Sequence, residues 1–316
     1  EIVSRDWSSD VCSSDLAGGV GGGYGAELAH AGADVTFIAR GAHLAAMRKD
    51  GLRIESPRGD THLRPTQATD DPASVGPVDV VLFCVKLWDV ESAGRHIQPM
   101  VGPDTAVIPL QNGIDAPERL VPILGKDAVM GGVANISATI AAPGTIRQTG
   151  TAFRMAFGEI DGRKRERGEA FAAMCAKAGI DGVHSDQILT ELWMKFILLA
   201  TNAGTMALIR QPLGRIRDDA DIVALMRAGY QETMDVGRAR GVKIPDDAVD
   251  RTLAWNRAAP ATLLPSMAVD LMRGNRIELP WLSGKVVELG RQLGIPTPVH
   301  SFLFTALKPY VMGAPA

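Results

Sequence analysis

From residue 33 onward, the first half of the chain alternates short apolar runs with amphipathic stretches. The segment "ADVTFIAR" (33–40) predicts a strand, and "AHLAAMRKDG" predicts a helix closed by Gly51 at its C-terminal cap. "LRIESPRGDTHLRP" predicts a small hairpin with "PRGD" as its turn. "VDVVLFCVK" (78–86) is almost purely apolar and rich in β-branched residues, the mark of a strand buried on both faces. "TAVIPLQNG" (105–113) repeats that character, and "AVMGGVANISATIAAPGTIRQTG" and "RMAFGEI" add further strands. Strands alternating with helices predict an α/β fold built on a doubly wound parallel sheet of Rossmann type.

The texture changes after about residue 186, where nearly every stretch repeats at 3.6 residues. "ILTELWMKFILLATNAGTMALI" is apolar on most sides and predicts a long, central, buried helix. "DIVALMRAGYQETMDVGRARG" predicts a second helix, with Arg238 and Arg240 at the negative end of its dipole and Gly241 closing it. Further helices are predicted in "DDAVDRTLAWNRAA", "PSMAVDLMRG", "LSGKVVELGRQLG" and the tail "TPVHSFLFTALKPYVMG". No fixed-period repeat or low-complexity linker interrupts the pattern. The layout is therefore a nucleotide-binding domain over 17–186 and an all-helical domain over 187–316, with residues 1–16 set apart.

The length of 316 residues suits two domains. A formal net charge of −3 offers no electrostatic footprint for nucleic acid or an anionic membrane. Three cysteines form neither a paired framework nor a C-x-x-C, which fits a reduced, cytoplasmic setting. No apolar run reaches the length expected of a membrane span, and residues 1–16 hold no signal-peptide core.

The chemistry starts at "LAGGVGGGYG" (16–25). A dinucleotide fingerprint needs glycines at i, i+2 and i+5. Gly18 and Gly21 fill the second and third places, with Gly19 and Val20 between them in the phosphate turn. Leu16 stands in the first place, where a tight turn prefers glycine. The helix that follows would aim its N-terminus at the phosphates. Arg40, at the end of the next strand, stands where an acid would hold a ribose 2′-hydroxyl; an arginine favours a 2′-phosphate, hence NADPH. A flexible glycine-rich loop is the bland alternative, and the helix, strand and arginine count against it. The strand before the turn should be apolar, yet "WSSDVCSSDL" is polar and carries "SSD" twice. Its composition, the missing first glycine and the absent initiator Met mark residues 1–16 as a cloning, adapter or assembly scar spliced over the true first strand.

Further residues stand at predicted element ends. Lys86 closes the apolar strand 78–86, where open α/β sheets bind ligands; a solvated strand-end lysine is an equal reading. Asn112 closes the next strand and could bridge cofactor and substrate, although Asn112-Gly113 alone reads more simply as a turn pair. Lys195 lies among apolar residues on every side. A lysine inside a buried helix either snorkels to the surface or faces a polar site, and at such a site burial lowers its pKa toward that of a proton donor near neutral pH. Asn202 lies two turns on along the same face. Glu278, between Ile277 and Leu279, precedes a helix predicted to start near Pro280; it is either a helix-end acid or a carboxylate paired with Lys195.

In this order "AGGVGG", Arg40, "VKLWD", "QNG", "ELWMKF", "PLGRIR" and "SMAVDL…IELPWLSG" resemble the ketopantoate reductase family over nearly the whole chain. The resemblance implies NADPH-dependent reduction of a 2-oxo acid, 2-dehydropantoate to pantoate, in pantothenate and coenzyme A biosynthesis. It implies Lys195 as general acid, Glu278 as the carboxylate that meets a substrate hydroxyl, and Ser266 as a substrate-carboxylate contact. It places Lys86 and Asn112 around the cofactor and the ternary complex, and Arg40 at the 2′-phosphate. No metal, nucleic acid or membrane enters this picture. The long apolar helix fits either a domain core or a dimer contact, so a homodimer stays open. One departure stands out: family members often carry asparagine four residues after the lysine, where this chain has Leu199, and Asn202 could substitute from the same face. That departure keeps a reductase of a different 2-oxo acid in view; a non-catalytic NADPH-binding regulator is the alternative from another class, and the presence of both Lys195 and Glu278 counts against it.

Overall fold

The structure is a computed structural model that describes residues 10–14 and 18–314. The chain falls into two compact units, one of Glu1–Gln111 with Asp115–Ile188 and one of Asn112–Ile114 with Leu189–Ala316.

In chain order the first unit holds β1 (Asp10–Ser14), α1 (Gly19–His30), β2 (Asp34–Ile38), α2 (Gly41–Asp50), β3 (Leu52–Glu55), β4 (Thr61–Leu63), β5 (Gln67–Thr69), β6 (Val80–Phe83), α3 (Val90–His96), β7 (Ala106–Pro109), α4 (Ala116–Leu124), β8 (Met130–Asn135), β9 (Ala138–Ala142), β10 (Thr145–Gln148), β11 (Arg154–Glu159), α5 (Glu166–Lys177) and β12 (Asp181–His184). Five strands form one parallel sheet in the order β5-β2-β1-β6-β7, the arrangement of a dinucleotide-binding half-fold. β6 and β7 are buried at every residue, which is why they read as unbroken apolar runs. The strand slot that the polar segment had put in question is filled: Asp10–Ser14 pairs in parallel with β2 on one side and β6 on the other. A parallel ladder is made by backbone groups, so a polar sequence can occupy it. The expected first-glycine position, Leu16, lies outside the described residues.

The 52–63 hairpin forms as predicted, with Leu52 opposite Leu63 and Gly59 at φ 124° in its turn. It belongs to a second sheet, β4-β3-β10-β9, and a third sheet, β12-β11-β8, completes the unit. α5 and β12 were not predicted. β12 pairs in parallel with β11, and α5 adds a buried fork in which the Arg167 guanidinium donates to both Glu159 carboxylate oxygens, at 2.8 and 2.7 Å, and to the Thr105 carbonyl.

The second unit holds α6 (Ile188–Ile209), α7 (Ala220–Ala239), α8 (Ala248–Ala258), α9 (Ser266–Met272), α10 (Ser283–Leu293) and α11 (Pro298–Leu307). Asp219 caps α7 by accepting from the backbone N–H groups of Asp221 and Ile222, and Gly294 closes α10 in the left-handed conformation. α6 runs through the core, with Phe196, Ile197, Ala200, Ala203 and Met206 all buried. It is also the one helix among the described residues long and apolar enough to cross a membrane. Its burial in this unit is what a core helix requires.

Candidate functional site

In the first unit the residues named from the sequence share a position, the carboxyl ends of the inner strands of the parallel sheet. α1, Arg40 and Lys86 each follow the carboxyl end of a parallel strand, where open α/β sheets take their ligands. α1 starts with Gly18 at its N-cap and Gly19, Val20 and Gly21 in its first turn; no side chain caps it and no acid sits there. Those backbone N–H groups are free of side-chain competition, which suits an anion. Close packing falls on Gly19: a Cβ there would stand 2.0 Å from the carbonyl oxygen of Ala138 on β9. The packing of α1 against β9 therefore requires glycine at position 19, for a reason that the i, i+2, i+5 spacing does not contain.

Arg40 is exposed and stands at the N-cap of α2, two residues beyond the end of β2. Lys86 is exposed, with its ammonium 5.5 Å from the centroid of the Trp88 ring. Its turn is pinned from behind. Arg119 on α4 donates to the Leu87 carbonyl at 2.7 Å and grips Glu91 through two 2.7 Å hydrogen bonds. The Arg119 guanidinium holds the Glu91 carboxyl below its usual range. The neighbouring strand end is tied in by Gln111, a buried residue that sequence reasoning passed over. Its amide donates to the Phe83 carbonyl at 2.8 Å, joining the ends of β6 and β7 just before Asn112. Asn112 itself is half-buried in a bend, with Gly113 at φ 133°.

The second unit brings together Lys195 and Glu278. Lys195 is half-buried on α6, and the protein around its ammonium lowers its pKa from 10.5 to about 8, burial pulling down and the Glu278 carboxylate opposing it. Glu278 is only 5% exposed and precedes a single 3-10 turn, Leu279–Trp281; α10 begins at Ser283, later than the predicted start at Pro280. A lysine in this state is mostly charged at neutral pH and can still release its proton readily. Ser266 is exposed as the first residue of α9.

Asn202 is placed differently from the expectation. It is 2% exposed and locked in a closed triad. Its amide nitrogen donates to the Asn256 carbonyl oxygen at 2.9 Å, its own oxygen accepts from the Tyr230 hydroxyl, and Asn256 donates to that hydroxyl at 2.6 Å. The helical spacing that set Asn202 beside Lys195 holds, but the side chain turns inward to partners 28 and 54 residues away in sequence. Periodicity along one helix carries no information about such partners.

Comparison with known proteins follows this geometry. Residues 17–162 match the family model described as ketopantoate reductase PanE/ApbA, and residues 187–311 match that of its C-terminal domain. The 2-dehydropantoate 2-reductase of Caulobacter vibrioides is 33% identical, over 82% of this chain and 86% of that protein. The 2-dehydropantoate 2-reductase of Mesorhizobium japonicum is 31% identical, over 89% and 92% respectively. Among solved structures, a PanE/ApbA family ketopantoate reductase from Ralstonia eutropha superposes with a TM-score of 0.87 at 33% identity, covering 96% of this chain and 98% of that one. Both units, each matched along most of its length, thus lead to one conclusion: the chain belongs to the ketopantoate reductase family of oxidoreductases.

Proposed function

We propose that this protein reduces 2-dehydropantoate to pantoate with NADPH, a step toward pantothenate and coenzyme A, in the cytoplasm. The observation that carries the reading is Lys195, a lysine on an apolar core helix whose pKa is brought to about 8 beside a buried glutamate. Such a group is costly to bury and gains its use from moving a proton.

The residues present fit the cofactor. The uncapped N-terminus of α1, with no side chain or acid competing for its backbone N–H groups, suits a pyrophosphate, and the exposed Arg40 guanidinium suits a 2′-phosphate. Lys86 and Asn112 would hold the nicotinamide end. When bound, NADPH supplies the hydride that the C2 carbonyl carbon accepts. The chain's own part is charge and proton. As negative charge grows on the carbonyl oxygen, the Lys195 ammonium stabilises it and delivers its proton there. Lysine is left neutral beside Glu278 and recovers a proton from water. The balance is one 2-oxo acid, one NADPH and one proton in, one 2-hydroxy acid and one NADP⁺ out. Ser266 would meet the substrate carboxylate.

The test is NADPH consumption with 2-dehydropantoate beside a panel of other 2-oxo acids, with Lys195→Ala as control. Turnover strongest on 2-dehydropantoate and lost in the control is expected. Tight NADPH binding with no turnover on any oxo acid would favour a regulatory protein that keeps the fold.

A further inference from the structure

The turn that carries Lys86 is held from two sides. It leaves β6 at Phe83 and enters α3 at Val90 through a single 3-10 turn, Leu87–Asp89. On the strand side the buried Gln111 amide donates to the Phe83 carbonyl at 2.8 Å. On the helix side Arg119 Nη2 donates at 2.7 Å to the carbonyl of Leu87, the residue directly after the lysine. Arg119 is itself oriented before it reaches that carbonyl. Its Nε and Nη2 donate to the two Glu91 oxygens at 2.7 Å each, and its Nη1 lies 3.7 Å from the buried Asp115 carboxylate. The guanidinium fork is planar, so a bidentate grip sets its direction as well as its distance. Asp115 is the N-cap residue of α4 and Glu91 stands in the first turn of α3, so one guanidinium ties the starts of two helices to the turn. Such a half-buried ion cluster adds little stability, because desolvation offsets the attraction; what it supplies is orientation.

Resting on the reading of Lys86 as a cofactor contact, we infer that Arg119 is a positioning residue for NADPH. Through the Leu87 carbonyl it fixes the backbone from which the Lys86 side chain reaches the cofactor, and it makes no cofactor contact of its own. The Lys86 ammonium is a point charge on a flexible stem, so its pull on a polar ligand depends on where the stem begins. With the turn pinned, the exposed ammonium lies 5.5 Å from the centroid of the Trp88 ring, which belongs to the same turn. Release from Arg119 would let that starting point drift, and misplacing a contacting group by about 1 Å can cost about 100-fold.

The experiment is a double-mutant cycle on NADPH affinity. The full chain is titrated with NADPH, read by nicotinamide fluorescence with no substrate present, so the result does not depend on turnover. Lys86→Ala should weaken NADPH by about 10- to 100-fold, the loss of a charge-assisted hydrogen bond. Arg119→Met should weaken it by about 10-fold in the native background and by less than about 2-fold in Lys86→Ala, because two residues that act through one contact do not add. Arg119→Lys keeps the charge but not the fork, and should bind NADPH as weakly as Arg119→Met. Glu91→Gln loosens the grip from its half-exposed side and should show a smaller loss that also vanishes in Lys86→Ala; thermal melts check the folding of every variant. Equal losses from Arg119→Met and from Glu91→Gln with and without Lys86 would make Arg119 a structural residue and overturn the inference, leaving Lys86 as a cofactor contact. Unchanged NADPH affinity in Lys86→Ala would remove that contact from the proposed function and this inference with it.

Discussion

β1 and α6 break the same rule in opposite ways. Both stand where apolar residues belong: β1 in parallel register between β2 and the fully buried β6, α6 through the middle of the helical core. In α6 the exceptions are Lys195, whose partner Glu278 can be named, and the buried Thr201, Asn202 and Thr205, in a helix otherwise faithful to its period. In β1 the exception is the whole strand, "DVCSS", which follows neither the alternation of a half-buried strand nor the apolar run of a buried one. A buried polar residue such as Asn202 is closed off by hydrogen bonds, whereas an ionisable one with a displaced pKa, Lys195, points to chemistry. A run that ignores the pattern is what a scar spliced over the first strand would leave.

The largest effect tests the first half of that contrast. Lys195→Ala should lower kcat/KM by about 10²- to 10⁴-fold, the range for losing a general acid. It should also destabilise the protein, by up to about 3–5 kcal/mol, because Glu278 would stay buried without its cation. Adding Glu278→Gln to Lys195→Ala should restore stability in urea melts and leave turnover low. Recovery of turnover with stability would make the pair structural, and the contrast with β1 would fail. A smaller loss is expected at Arg40. Arg40→Ala should weaken NADPH by about 10- to 100-fold and leave NADH nearly unchanged in cofactor titrations, the size of a lost charge-assisted hydrogen bond.

Legibility follows the same division. The α/β class, the 52–63 hairpin and every helix of the second unit could be read because local period and caps dictate them, as with Asp219 and Gly294. Gly18, Arg40 and Lys86 could be located because each follows a strand end. What could not be read depends on residues far apart in sequence. Gly19 is required by Ala138, Gln111 by Phe83, and Asn202 is claimed by Tyr230 and Asn256. β12 was missed because its parallel pairing with β11 holds it and only His184 of its four residues is buried, and α5 was missed although it places Phe171 and Cys175 in the core. Glu278 stood out only as a charge between two apolar residues; the element after it proved to be a 3-10 turn.

The β1 half of the contrast is tested by restoring the pattern. Replacing Asp10, Ser13 and Ser14 with valine and Leu16 with glycine should raise the thermal midpoint by several degrees. A domain of this size gains about 2–4 °C per kcal/mol. Resequencing the source locus should return an apolar strand ending in glycine at position 16. The same polar residues returned in frame would make β1 a native strand and turn its polarity into a question of function.

The smallest effect is the most discriminating, because it separates a carboxylate that tunes Lys195 from one that merely fills space. As proton donor in reduction, Lys195 must be charged, so activity should be full on the acid side of its pKa and fall as pH rises through about 8. Burial lowers that pKa, and the Glu278 charge holds it up. Glu278→Gln keeps the shape and removes the charge. The ammonium then loses its opposing support, its pKa drops further, and the alkaline limb of the kcat/KM profile should move to lower pH. A carboxylate with only a packing role would scale the whole profile and leave its inflection in place. An unmoved inflection in Glu278→Gln would therefore reduce the pair to two neighbours, and Lys195 would owe its displaced pKa to burial alone.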